Sequence, residues 1–266
     1  DIKKRKMDPV AADVYAADAM LGVITAMAGE LDRDHALEAA CCKVFASEML
    51  WRAADEMVQV AGGRGFVKPY PYERMLRDAR INRIFEGTNE ILRLFVALNG
   101  IQGPAGRLRE VAAALKHPLR HMGLVSGFAA SRLRSRLGTS GALDAMLHPR
   151  IEGHRKYLEK HVREMGDASE RLIEAYRERI VDRQQELERL ADMAMEVFAT
   201  AAVLARTQQL IEARGVAACM HEVDLCDLFA VEAGLRFRTA RDAVQSLQDE
   251  TRRVVARSVR EAGGYA

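Results

Sequence analysis

Apolar residues recur at helical spacing along almost all of this 266-residue chain, and sustained alternation of apolar and polar residues is absent. Such a pattern builds amphipathic helices and leaves no half-buried strand, so an all-α fold is expected. Six prolines in the whole chain, with abundant Ala, Leu, Glu and Arg, favour the same outcome. Hydrophobic residues make up 49% and charged residues 29%, enough to bury a sizeable core over one large domain or two of ordinary size. Forty basic residues against 38 acidic ones leave almost no net charge. A nucleic-acid binder needs a concentrated basic surface, so that class of partner is not expected.

Turn and capping residues divide the pattern into helices. Asp8 followed by Pro9 reads as an N-cap with proline at the first helical position, opening a helix that runs to about Leu31. A second starts near Asp34, crowds Leu37, Cys41, Val44, Met49 and Trp51 on one side, and stops at Gly62-Gly63-Arg64-Gly65. Tyr70-Pro71 opens a third, reaching about Phe85. Thr88 caps a fourth, with Glu90 in its first turn and Ile91, Leu94, Phe95 and Leu98 as its buried stripe. Turn residues from Asn99 to Gly106 mark a boundary. A short helix to about Leu115 and an apolar, Arg-flanked segment over 118–138 follow. Long helices are then expected over about 151–180, 183–214, 220–248 and 250–262, with Asp182-x-x-Gln185 as a capping box and Gly215 as a C′ residue. Leu158, Val162, Met165, Leu172, Tyr176, Leu187, Leu190 and Val197 suit antiparallel bundle packing. The organisation expected is a helical domain over 1–100, a connecting segment over 101–150 and a second helical bundle over 151–266.

Cys41, Cys42, Cys219 and Cys226 form no C-x-x-C pair and read as small buried apolar groups in a reduced, cytoplasm-like compartment. No apolar run reads as membrane-spanning and no secretory signal opens the chain. The basic start, Asp1 to Met7, looks like the cut edge of a longer protein. His117, His121, His148 and His221 lack metal-ligand spacing, so no metal site is expected.

The chemistry concentrates in Arg-Ile-Phe-Glu-Gly-Thr-Asn-Glu, Arg83 to Glu90. Glu86 lies between a bulky aromatic, Phe85, and Gly87, just before a helix start. That gives a carboxylate apolar shielding on one side and close backbone approach for a ligand on the other, which a general base needs. Taken alone, the same residues read as a surface glutamate at a helix–helix turn, with Thr88 an ordinary N-cap. Gly62 and Gly63 are likewise either a helix stop or a place where backbone comes close to a ligand. No strand precedes them, so they are not a Rossmann fingerprint.

With Gln59-Val-Ala-Gly-Gly-Arg-Gly-Phe66 and Tyr72-Glu-Arg-Met-Leu-Arg-Asp-Ala-Arg-Ile81 upstream, the octet resembles the carboxyl-terminal helical domain of the acyl-CoA dehydrogenases. The resemblance implies that Glu86 removes the α-proton of an acyl-CoA thioester while the β-hydrogen leaves as hydride to N5 of FAD. It implies flavin contacts from Thr88, Asn89 and Glu90, and contacts from Gln59, Val60, Ala61, Gly62 and Gly63 to the cofactor of a neighbouring subunit. Phe85 and Gly87 would meet the substrate, Phe85 raising the basicity of Glu86 by desolvation. Backbone N–H groups near Glu86 and Gly87 would bind the thioester oxygen. Arg77, Asp78 and Arg80 would form structural ion pairs.

Ala114-Leu-Lys-His-Pro118, Gly123-Leu-Val-x-Gly127, Arg132-Leu-Arg-Ser-Arg136, Leu147-His-Pro149 and Arg189-Leu-Ala-Asp192 extend the resemblance to the very-long-chain members, as does Ile91 to Leu98. These imply long-chain acyl-CoA in fatty-acid β-oxidation, electron-transferring flavoprotein as acceptor, and a homodimer. They also imply that 118–138 either touches a membrane, on the matrix side of a mitochondrion in a eukaryote, or is a bundle helix with solvated arginines. The family's amino-terminal and β-domains, which hold most flavin contacts, have no counterpart here, so the chain by itself is not expected to hold flavin tightly or turn over. A second function class stays open: a non-catalytic helical module for dimerisation or assembly derived from the same family.

Overall fold

The computed structural model describes residues 4–29, 34–101, 147–244 and 248–264, and every regular element among them is helical. In chain order these are α1 (Lys4–Ala28), α2 (Ala36–Ala61), the single turn α3 (Gly63–Phe66), α4 (Tyr72–Ile81), α5 (Asn89–Gly100), α6 (Glu152–Tyr176), α7 (Gln184–Arg214), α8 (Met220–Ala243) and α9 (Gln248–Ala262). Short 3-10 turns, Arg177–Asp182 and Val216–Cys219, lead into α7 and α8. The expected short helix to about Leu115 and the apolar segment over 118–138 both lie outside the described residues.

α7 buries Leu187, Leu190, Ala191, Met193, Met195, Ala199, Ala202, Val203, Leu204, Thr207 and Ile211. These positions go nearly round the helix, so it must be enclosed. It is: α1, α2 and α5 pack on it from one part of the chain, α6 and α8 from the other. One continuous apolar cluster results, running from Ala12 and Met20 through Val44 and Val96 to Phe229 and Phe237. Phe45 of α2 meets Phe229 of α8 edge-on, with centroids 6.0 Å apart. Polar ties cross the same seam. Tyr15 lies 2.9 Å from the Thr207 hydroxyl, whose own proton goes to the Val203 carbonyl, so Tyr15 is the donor. Asp13 accepts from Arg52 at 3.0 Å and pairs with Arg236 at 3.5 Å, and Arg236 also reaches Glu196 at 2.6 Å.

Several boundaries differ from the sequence expectation, each for a local reason. α1 begins at Lys4 and carries Pro9 inside it. A proline there opposes only the carbonyl of Arg5, in the first turn, so the helix passes it. By length and composition α1 is apolar enough to cross a membrane, contrary to the sequence reading, but here Ala12, Ala16, Ala19 and Met20 are core residues. α4 stops at Ile81, four residues early, because the Asn82 side-chain amide donates to the carbonyls of Asp78 and Ala79. Asp182 is taken up in the 3-10 turn and caps nothing, so Arg183 precedes α7 without a side-chain hydrogen bond. Gly215, at φ +78, does end α7. Arg77 pairs with Glu73 rather than Asp78, and Arg80 lies over the Trp51 ring. On α5 the buried residues are Asn89, Val96 and Ala97, whereas Ile91 and Phe95 of the expected stripe face outward, 60% and 38% exposed. All four cysteines are free thiols. Burial pushes Cys41 and Cys226 up to about 12, which leaves them inert as nucleophiles.

Replacing Phe229 by Ala should therefore loosen both halves together. A loss of about 3–5 kcal/mol is expected in one cooperative urea transition, and two separated transitions would show that the halves do not share a core.

Candidate functional site

The turn that carries Glu86 is closed by backbone chemistry. After α4, Ile84 and Phe85 N–H both return to the Ile81 carbonyl, at 2.9 and 3.1 Å. Glu86 and Gly87 then take successive left-handed conformations, φ +54 and +87. For glycine this is free; for glutamate it costs on the order of 1–2 kcal/mol. Asn89 N–H reaches back to the Arg83 carbonyl at 3.1 Å, and Thr88 caps α5 by accepting from Ile91 N–H at 3.3 Å, as its sequence suggested.

What holds this turn against the bundle is Asn89, 1% exposed. Its amide nitrogen donates to Ser47 Oγ at 2.9 Å and Glu48 Oε1 at 3.0 Å, and its oxygen accepts from Lys43 Nζ at 2.8 Å. Lys43 also donates to the Gly87 carbonyl at 2.8 Å. Glu48 in turn pairs with Arg83 at 3.2 Å and Arg93 at 3.3 Å, and Arg93 continues to Asp192 on α7 at 2.8 Å. Burial works against ionisation of Glu48, yet the Asn89 hydrogen bond and the charges of Arg93 and Arg83 outweigh it and hold the carboxyl below its usual range.

Glu86 lines a cavity of about 340 Å³. One wall is Ala36, Ala39, Ala40 and Lys43, a single face of α2 whose small side chains leave room; Leu92 and Phe95 of α5 form the other. The Glu86 carboxylate is exposed, and among the described residues no hydrogen bond or ion pair engages it. The backbone N–H groups of Glu86 and Gly87 likewise donate to no acceptor among the described residues. Phe85 is 47% exposed and is absent from the cavity lining, so the apolar wall beside Glu86 comes from Leu92 and Phe95 instead of the expected Phe85.

The other sequence candidates divide into two groups. Gly87, Thr88, Asn89 and Glu90 sit with Glu86, but the side-chain amide of Asn89 is spent inside the protein rather than turned to a ligand. Gln59, Val60, Ala61, Gly62 and Gly63 lie at the far end of α2, sixteen residues beyond Lys43, about 24 Å along the helix axis. Gln59, Gly62 and Gly63 are exposed, Val60 and Ala61 half-buried. A Cβ on Gly62 or Gly63 would meet nothing within 4 Å, leaving an open backbone shelf, whereas a Cβ on Gly65 would stand 2.3 Å from the Val58 carbonyl. Gly65 is thus the glycine this bend requires for packing. Phe66 beside it is 81% exposed. Sequence reasoning missed Lys43, Ser47, Glu48 and Leu92. A lone lysine amid Ala39, Ala40, Cys41, Val44 and Phe45 was the available signal. Among the described residues no cluster of His, Cys, Asp or Glu could hold a metal ion.

Residues 3–100 match the family described as acyl-CoA dehydrogenase, C-terminal domain, and residues 149–265 match ACAD9/ACADV, C-terminal domain. Very long-chain specific acyl-CoA dehydrogenase, mitochondrial, of Homo sapiens is 37% identical over 234 residues, covering 87% of this chain and 36% of that protein. Probable acyl-CoA dehydrogenase FadE10 of Mycobacterium tuberculosis (strain ATCC 25618 / H37Rv) is 30% identical over 259 residues, covering 92% of this chain and 40% of that protein. This chain thus spans little more than a third of the length of such relatives. The crystal structure of an acyl-CoA dehydrogenase complexed with FAD from Bacillus anthracis superposes with a TM-score of 0.69 at 26% identity, over 98% of this chain and 45% of that one.

The Glu48 network carries a pH signature. Glu48→Gln leaves Arg83 and Arg93 under-compensated and should cost about 1–2 kcal/mol at neutral pH. A carboxyl with a depressed folded pKa contributes stability that is complete above its unfolded value and is lost as pH falls through the folded one. The wild-type advantage in urea unfolding should therefore shrink progressively below about pH 4.

Proposed function

Because this chain belongs to the acyl-CoA dehydrogenase family, we propose that it supplies the helical side of a FAD-dependent site that dehydrogenates long-chain acyl-CoA thioesters. Glu86 removes the proton α to the thioester carbonyl. The chemistry a bound FAD would supply is acceptance of the β-hydrogen as hydride, which would leave a trans-2-enoyl thioester. The observation that carries this reading is the Glu86–Gly87 turn: a carboxylate at the mouth of an apolar cavity with two N–H groups beside it, none of them hydrogen-bonded among the described residues. Those N–H groups are suited to the oxygen on which charge develops as the proton leaves. Gly87 takes the left-handed turn without strain, and Leu92 and Phe95 offer the acyl chain apolar surface.

The residues present fit a flavin in two places. Thr88 accepts from Ile91 and keeps its own proton for donation, and Glu90 is exposed next to it. Asn89 serves indirectly by fixing the turn. At the other end of α2, the exposed Gln59 amide and the open backbone of Gly62 and Gly63 suit a polar cofactor edge. The separation of these two places along α2 favours two cofactors shared across a homodimer. Exposed Phe66, Ile81, Ile84 and Phe85 favour coverage by a subunit partner or another domain. Electrons would then pass to an electron-transferring flavoprotein, in the mitochondrial matrix in a eukaryote and in the cytoplasm otherwise, with 118–138 as the segment for membrane contact. The same exposed apolar surface also favours the second reading, a non-catalytic assembly module.

One experiment separates the two. In the flavin-loaded protein expressed from the complete reading frame, palmitoyl-CoA should bleach the flavin absorbance, and Glu86→Gln should slow that bleaching by about 10²–10⁴-fold. Undiminished bleaching in the variant would overturn Glu86 as the base.

A further inference from the structure

Granting that Glu86 is the base, the structure carries one step further, to the residue that aims it. Two consecutive left-handed residues, one of them a glutamate, persist only where their surroundings over-determine them. Three contacts do so here. Asn89 N–H closes the turn on the Arg83 carbonyl at 3.1 Å. Leu92 fills the space where a side chain on Gly87 would stand, its Cδ2 3.3 Å from that point. Lys43 Nζ, from a different helix, donates to the Gly87 carbonyl at 2.8 Å.

The lysine differs from the other two. Leu92 supplies shape and Asn89 N–H a link within the loop, whereas Lys43 fixes the turn against α2. The same ammonium donates to Asn89 Oδ1 at 2.8 Å, so one cation joins the turn, the first residue of α5 and the cavity wall. Burial draws the Lys43 pKa below its ordinary value, and the charges of Glu90, Glu48 and Glu86 oppose that shift. A solvated surface lysine would have no such ties.

We infer that Lys43 is a positioning residue for Glu86: by holding the Gly87 carbonyl it sets the direction in which the Glu86 carboxylate and the adjacent N–H groups face the cavity. Removing its ammonium leaves the base and the apolar acyl surface of Leu92 and Phe95 in place but lets the turn relax, which mis-aims the carboxylate. A group mis-aimed in this way costs turnover without costing binding.

The test uses the flavin-loaded protein expressed from the complete reading frame, with palmitoyl-CoA. Lys43→Met should lower kcat on the order of 10²-fold while KM and the flavin spectrum stay within about twofold of wild type. Lys43→Arg, which keeps charged donors at that point, should recover kcat to within about tenfold. Wild-type kcat in Lys43→Met, or a loss that Lys43→Arg does not recover, overturns the inference. Should Lys43→Met fail to fold, Lys43→Gln carries the same readout: a kcat loss at constant KM supports the role, and an unchanged kcat removes it. Glu86→Gln assayed in parallel keeps the two readings apart. Loss there with normal Lys43→Met sinks the lysine alone, and activity there sinks the base itself.

Discussion

A single buried amide organises this end of the molecule. Asn89 enters the interior as the first residue of α5, and once there every polar atom of its side chain must find a partner or cost about 1–3 kcal/mol. Ser47, Glu48 and Lys43 meet that requirement from one face of α2. The consequence is geometric. With Asn89 fixed, the chain between α4 and α5 has only Asn82 to Thr88 in which to turn, and the tight left-handed pair at Glu86 and Gly87 is how it does so. The exposed carboxylate is thus held by a neighbour that is not exposed at all.

The network does not end at α2. Glu48 ties to Arg93, and Arg93 to Asp192 on the central helix α7, which belongs to the second matched family domain. The two matched segments therefore meet through charge as well as through the shared apolar core, and the second contributes directly to the support of the Glu86 turn. Partly buried ion pairs of this kind add little net stability, but breaking one leaves an uncompensated charge. They fix registry between α2, α5 and α7, which is what a turn with a strained residue needs.

α1 makes a related point about composition. It is long and apolar enough for a bilayer, yet Asp13 on it is buried between Arg52 and Arg236. An apolar stretch says only that a helix must leave water. Which environment receives it depends on the neighbouring helices, here α2, α7 and α8.

The helical class, the stop at Gly62, the Thr88 cap and the end of α7 at Gly215 were all legible in the residue string. Each depends on chemistry within a few positions: spacing of apolar residues, glycine's left-handed freedom, a hydroxyl ahead of a helix. Three things needed the folded chain. Burial of Asn89 rather than its exposure follows from Ser47 and Glu48, more than forty residues away. Replacement of Phe85 by Leu92 and Phe95 as the apolar wall follows from how α5 is rotated against α2 and α7. The hold of Lys43 on Gly87 spans the same distance. Local sequence dictates which segments coil and where they stop, because those forces act within a turn or two; which side chains face one another across helices is decided only when the faces pack.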